Sequence, residues 1–103
     1  PMPWFIKTEK FTKQTLSMSS DERQVFLSQH KTWVLKLNDL GKKISSGYLV
    51  NDKKLPGGGG LLIIEASSFQ EAMSIVKEDP MIVHDLVTWN LQEWIYLAGE
   101  LLE

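Results

Sequence analysis

The run Leu61-Leu62-Ile63-Ile64 constrains this chain more than any other feature. It is short, rich in strand-forming residues, preceded by glycines and followed by Glu65-Ala66-Ser67-Ser68. That length and those flanks predict a strand over residues 61–66 rather than a helix. Side chains alternate across a strand, so consecutive apolar residues make both of its faces apolar. Whatever fold the chain adopts must cover this strand front and back.

The neighbouring segments supply the rest of a sheet. Residues 4–9, Trp-Phe-Ile-Lys-Thr-Glu, read as a first strand, and the polar stretch 12–20 as a loop. Ser19 and Glu22 form a capping box that opens a helix, and Asp21 and Glu22 suit its positive end. Phe26, Trp33, Leu37 and Leu40 recur at helical spacing, with His30 inside that stripe, and Gly41 supplies the stop. Residues 44–50 read as a second strand and Asn51-Asp52-Lys53-Lys54 as a turn. Leu55-Pro56 and the glycine run 57–60 then make a long, flexible hairpin tip or pocket flap. A phosphate-loop reading of the glycines fails, because no Lys-Ser/Thr follows them and a strand follows rather than a helix.

Ser68 and Glu71 predict a second capping box, ahead of a helix with Phe69, Ala72, Met73 and Val76 on one face. That helix ends before Pro80, and Asp79-Pro80 can open a further short turn with Asp79 as its cap. Residues 86–98 read as a last strand. Val87, Trp89, Leu91, Ile95 and Leu97 fall on one face, and Thr88, Asn90, Gln92, Trp94 and Tyr96 on the other. The polar row Thr88, Asn90 and Gln92 lines either a pocket or groove or plain solvent. Trp33, Trp89 and Trp94 read as packing residues.

The order is therefore βαββαβ in one domain, residues 1–103, with Pro1 read as an extra residue ahead of the natural start Met2. The expected class is α+β, ferredoxin-like: a four-stranded antiparallel sheet with two helices on one face, because right-handed crossovers put both there. Helices on one side leave the other face of strand 61–66 bare. A second copy, packed sheet to sheet about 10 Å away, is the predicted cover, so a homodimer is expected.

Composition narrows the function. Apolar residues make up 43% of the chain and net charge is −2, with both signs dispersed. That argues for a globular fold and against a nucleic-acid or membrane-surface partner. The absence of cysteine removes disulfides and thiolate chemistry and fits a cytoplasmic setting. No HExxH-type spacing joins His30, Asp79 and His84, so no metal or other cofactor is called for, and His84 reads as a surface residue or a local hydrogen-bond partner. A histidine on an apolar helix stripe is by default a core residue with one satisfied hydrogen bond, and Asp79 is by default a helix cap. Their alternative reading is a pair. A carboxylate on one imidazole nitrogen fixes the tautomer and leaves the other as a base.

Taken in order, several segments resemble the YCII-related family: Gln29-His30-Lys31-Thr32-Trp33 in the first helix, Ser45-Ser46-Gly47-Tyr48 in the second strand, Gly59-Gly60-Leu61-Leu62-Ile63-Ile64-Glu65-Ala66-Ser67-Ser68, the turn Glu78-Asp79-Pro80-Met81, and the late Trp94. The resemblance spans nearly the whole chain. It implies a ferredoxin-like fold pairing into a dimeric α/β barrel, and a histidine–aspartate centre carried over onto His30 and Asp79. Ser46, Gly47 and Met81 are then expected to line the substrate pocket. Some relatives remove HCl from chlorinated hydroxyquinone-type compounds, and muconolactone isomerases share the dimeric barrel. The chain departs from the family after Asp-Pro, with Met81 and later His84-Asp85 where an aromatic residue and an Ala-Gly pair are usual.

The leading expectation is a cofactor-independent lyase or isomerase using His30 and Asp79 on a small organic acid or enol. The alternatives are a non-catalytic dimer that binds or senses a small molecule, and a structural module in which the pair serves only the core.

Overall fold

A computed structural model describes residues 2–100, so Pro1 lies outside the described residues. The elements are β1 (Trp4–Phe11), α1 (Lys13–Leu16), α2 (Ser20–Asp39), β2 (Ile44–Val50), β3 (Pro56–Glu65), α3 (Phe69–Val76), α4 (Pro80–Val83) and β4 (Val87–Trp94). The strands form one 4-stranded antiparallel sheet in the order β2-β3-β1-β4. This is the ferredoxin-like α+β arrangement.

Register assigns each side chain to a face. Phe5 pairs with Ile64 and Lys7 with Leu62 on β3, Ile44 pairs with Ile64 across β2, and Lys7 also faces Leu91 on β4. Phe5, Ile44, Leu62, Ile64 and Leu91 are buried in one cluster with Val34 of α2 and with Ala72 and Val76 of α3. Both long helices therefore cover the same face of the sheet. The opposite face carries Ile6 opposite Ile63 and Trp4 opposite Trp94. Ile6, Leu61 and Ile63 are only half-buried there, and Trp94 is 39% exposed. The doubly apolar strand is thus shielded on one side and part-exposed on the other.

The helix signals act as their chemistry predicts. Ser19 Oγ accepts from Glu22 N at 3.1 Å while Ser19 N donates to the Glu22 carboxylate at 3.2 Å. Gly41, at φ +89°, ends α2 in a conformation that other residues seldom adopt. The second box is only half made. Ser68 Oγ accepts from Glu71 N, but the Glu71 carboxylate turns to Ser67, taking its N–H at 3.2 Å and its hydroxyl at 2.9 Å.

Four expectations need correcting. Part of the 12–20 loop is the short helix α1, capped by Thr12, and Thr15 Oγ donates to Leu86 O at 2.7 Å to tie it to the start of β4. The glycine run 57–60 is strand rather than a flexible tip, since Gly59 and Gly60 pair with Lys10 and Glu9 of β1. The turn stands where Asn51-Asp52-Lys53-Lys54 predicts it, closed by Asn51 Oδ1 on the N–H groups of Lys53 and Leu55. The last strand stops at Trp94, leaving Ile95 71% and Leu97 94% exposed. Leu40 is likewise exposed, because it caps α2 instead of continuing the stripe.

Gly58 sits at φ +79°, and a Cβ there would meet Leu16 Cδ2 at 3.3 Å and Phe11 Cβ at 3.4 Å. Gly58→Ala is expected to cost about 1–2 kcal/mol for the left-handed backbone alone. Urea denaturation reads this directly, and an unchanged midpoint would contradict it.

Candidate active site

The site is assembled from three elements. Helix α2 carries His30. The turn into α4 carries Asp79, and strand β2 carries Ser46 on the face that looks toward the helices. His30 Nδ1 lies 2.8 Å from Asp79 Oδ1, and His30 Nε2 lies 2.7 Å from Ser46 Oγ. Asp79 is fully buried, whereas the His30 side chain keeps 15% of its surface exposed and Ser46 is exposed. The line Asp79–His30–Ser46 thus runs from the interior outward.

Asp79 fulfils both readings open to it. It caps α4, Oδ1 accepting from Met81 N at 2.9 Å with Pro80 at the first helical position, and it also holds His30. Its second oxygen accepts from Lys7 Nζ at 2.7 Å. The Lys7 ammonium is itself buried and pairs in addition with Glu9 on the same face of β1. Burial alone pushes the Asp79 carboxyl up. The His30 hydrogen bond and the Lys7 charge outweigh that, and the carboxyl titrates below the ordinary aspartate range. Asp79 is therefore ionised at neutral pH and can only accept hydrogen bonds. It follows that neutral His30 carries its proton on Nδ1, and Nε2 presents a lone pair, to which the Ser46 hydroxyl donates.

Nε2 and Ser46 open onto a cleft of about 780 Å³ between α2 and the β2–β3 hairpin. Its walls include Phe11, Leu27, Val34, Tyr48 and Met81, with Gly57, Gly58 and Gly59 along one rim. The five residues singled out from sequence meet at this place. His30, Ser46, Gly47 and Met81 line the cleft, and Asp79 lies directly behind His30. The row Thr88, Asn90 and Gln92 does not reach it, since those residues stand exposed opposite Val87 and Leu91. His84 is exposed and packs its ring on Phe26, with centroids 5.0 Å apart. No group of His, Asp and Glu suited to hold a metal occurs among the described residues.

Sequence reasoning missed Lys7, Glu9 and Arg23. Lys7 and Glu9 share the parity of Phe5, but Trp4 and Ile6 make the other parity of β1 equally apolar, so alternation could not assign an inside. Arg23 carried a signal that could have been used: 23, 27, 30 and 34 fall on one helical face with His30.

No protein-family model and no curated protein matches this sequence. Solved structures do match. One is the 5-chloro-2-hydroxyhydroquinone dehydrochlorinase TftG of Burkholderia phenoliruptrix AC1100, in complex with 2,5-dihydroxybenzoquinone. It aligns with a TM-score of 0.67 at 24% identity, over 90% of this chain and 94% of that one. A de novo designed protein, Ferredog-Diesel, aligns with a TM-score of 0.56 at 18% identity, over 87% of this chain and 83% of the design. The fold is shared with both. One is a natural enzyme and the other a design, so the fold by itself does not assign a reaction.

Proposed function

We propose that this protein is a cofactor-independent acid–base enzyme of the lyase or isomerase type, acting on a small cyclic organic acid or enol. The observation that carries this reading is the Asp79–His30–Ser46 line, in which a buried carboxylate leaves an imidazole lone pair aimed at a cleft of ligand size.

His30 Nε2 removes a proton from carbon next to a carbonyl. As the imidazolium forms, the fixed negative charge of Asp79 stabilises it. Lys7 keeps Asp79 ionised. The electrons left on the substrate then expel a leaving group such as chloride, which is a lyase reaction, or take back a proton at another carbon, which is an isomerase reaction. Ser46 stands where the proton is taken, so its hydroxyl yields Nε2 to the substrate and is free to hold a neighbouring oxygen. Gly47 and Met81 shape the pocket around it. The structural likeness to a dehydrochlorinase, and the segments that resemble the YCII-related family, favour the same chemistry.

The test is solvent deuterium incorporation into cyclic enols, together with chloride release from 5-chloro-2-hydroxyhydroquinone, each compared between wild type and His30→Gln. A wild-type rate that His30→Gln leaves unchanged would sink the proposal. One observation favours the rival reading, a binding or sensing protein: Nε2 is already engaged by Ser46. A ligand retained through purification, bound at His30 and chemically unaltered, would support it.

The working unit we propose is a cytoplasmic homodimer joined through the open sheet face. Trp4, Ile6, Leu61, Ile63 and Trp94 form an apolar patch there that no other described residue covers fully. Ile63→Glu is expected to give a single-chain species in sedimentation velocity while wild type sediments as two chains. A wild-type mass of one chain removes the dimer.

A further inference from the structure

The acid–base centre does not explain Arg23. This arginine lines the same cleft as His30, seven residues earlier on α2. The two positions share a helical face and are separated by about 10.5 Å along the axis. Its guanidinium is anchored on one side. Nη1 donates to the carbonyl oxygens of Thr15, Leu16 and Met18 at 3.3, 3.1 and 3.1 Å, closing the exposed end of α1. Nη2 and Nε have no acceptor among the described residues, and no carboxylate pairs with Arg23 there. Lys31, beside His30 on the same wall, is also outside every ion pair among the described residues.

Opposite them, the carboxylate that lines the cleft is Glu9, and its charge is met by Lys7. Counting the cleft and its backing together, Lys7, Arg23 and Lys31 outnumber Glu9 and Asp79. The cleft and its backing therefore carry one net positive charge. A free surface arginine would lose side-chain freedom on gripping a ligand. Here the clamp on the α1 carbonyls has already removed much of that freedom, and it leaves the fork's other edge for an oxygen pair.

We infer that Arg23 is the specificity-determining residue of the cleft. It binds a carboxylate or ionised enol oxygen of an anionic substrate and holds it so that the reacting carbon lies at His30 Nε2. The inference deepens the reading of His30 as a base and rests on it for the orientation, though not for the binding.

The probe is 2,5-dihydroxybenzoquinone, an acidic enol ionised at neutral pH, compared with hydroquinone, a ring of similar size that is uncharged there. Calorimetric titration of wild type is expected to favour the anion, with an affinity that falls as salt is added. Arg23→Gln is expected to weaken the anion by about 10–100-fold and leave hydroquinone unchanged, with the thermal midpoint recorded alongside. Because Arg23 also caps α1, a second measurement needs no variant: the Arg23 Nε–H resonance should shift as the anion is titrated into wild type. Arg23→Gln binding the anion like wild type, an unmoved Nε–H resonance, a preference for hydroquinone, or binding of neither probe overturns the inference. His30→Gln separates the two ideas. It should lose deuterium exchange and keep its affinity for the anion. Exchange that persists in His30→Gln condemns the base and leaves Arg23 standing.

Discussion

His30→Gln should lower turnover of any true substrate by about 10²–10⁴-fold, the usual contribution of a positioned general base. Glutamine approximates the size of imidazole and can still donate to Asp79, so the buried carboxylate stays partnered. It offers no basic nitrogen toward the cleft. The loss should therefore appear in kcat, with KM little changed, because the interaction removed is made only as the proton moves. Val34 and Met81 beside it belong to buried apolar clusters that do not include the ring. Stability should accordingly change far less than rate. If rate and unfolding midpoint fall together, and the rate recovers once temperature is lowered, His30 is a core residue and not a base.

Lys7→Met should be strongly destabilising, at about 3–5 kcal/mol by urea denaturation. Its ammonium is buried between Asp79 and Glu9, and methionine would leave two carboxylates without their cation. Removing one member of a buried ion pair is far costlier than replacing the whole group. Lys7→Met combined with Glu9→Gln and Asp79→Asn should thus recover part of the loss.

The same variant changes the acid limb of stability. Asp79 has a folded-state pKa below its unfolded value of about 3.9. Its contribution is therefore present above that value and disappears as pH falls through the lower folded pKa. Without Lys7 the folded pKa rises, and acid unfolding should begin at higher pH. A Lys7→Met protein that loses less than about 1 kcal/mol, with its acid limb unmoved, would mean the ammonium is solvated in solution.

Much of the architecture is legible from residues alone, for local reasons. Ser19 with Glu22, Gly41, and Asp79-Pro80 mark helix ends through backbone chemistry within a few positions. The apolar run 61–64 announces a central strand that one layer of helices cannot enclose, and its register bears out a sheet with one covered face. Errors fell where local rules are silent. A glycine run by itself implies a flexible tip, yet pairing with β1 makes it strand. The alternation of 86–98 continued past Trp94, where no partner strand remains to hold it.

The chemistry divides along the same line. By itself the sequence determined which side chains could act: one histidine on a helix's inner stripe, one aspartate locked before a proline, small residues on the second strand. It also determined a fold that stacks both helices on one side of the sheet. Only the tertiary structure decided that His30 and Asp79, 49 residues apart, touch, and that Lys7 points inward to hold the Asp79 carboxylate charged. It also brought Arg23 to the wall of the same cleft. Those facts depend on strand register and helix rotation. Both are set by the packing of the whole core, which no local stretch of residues encodes.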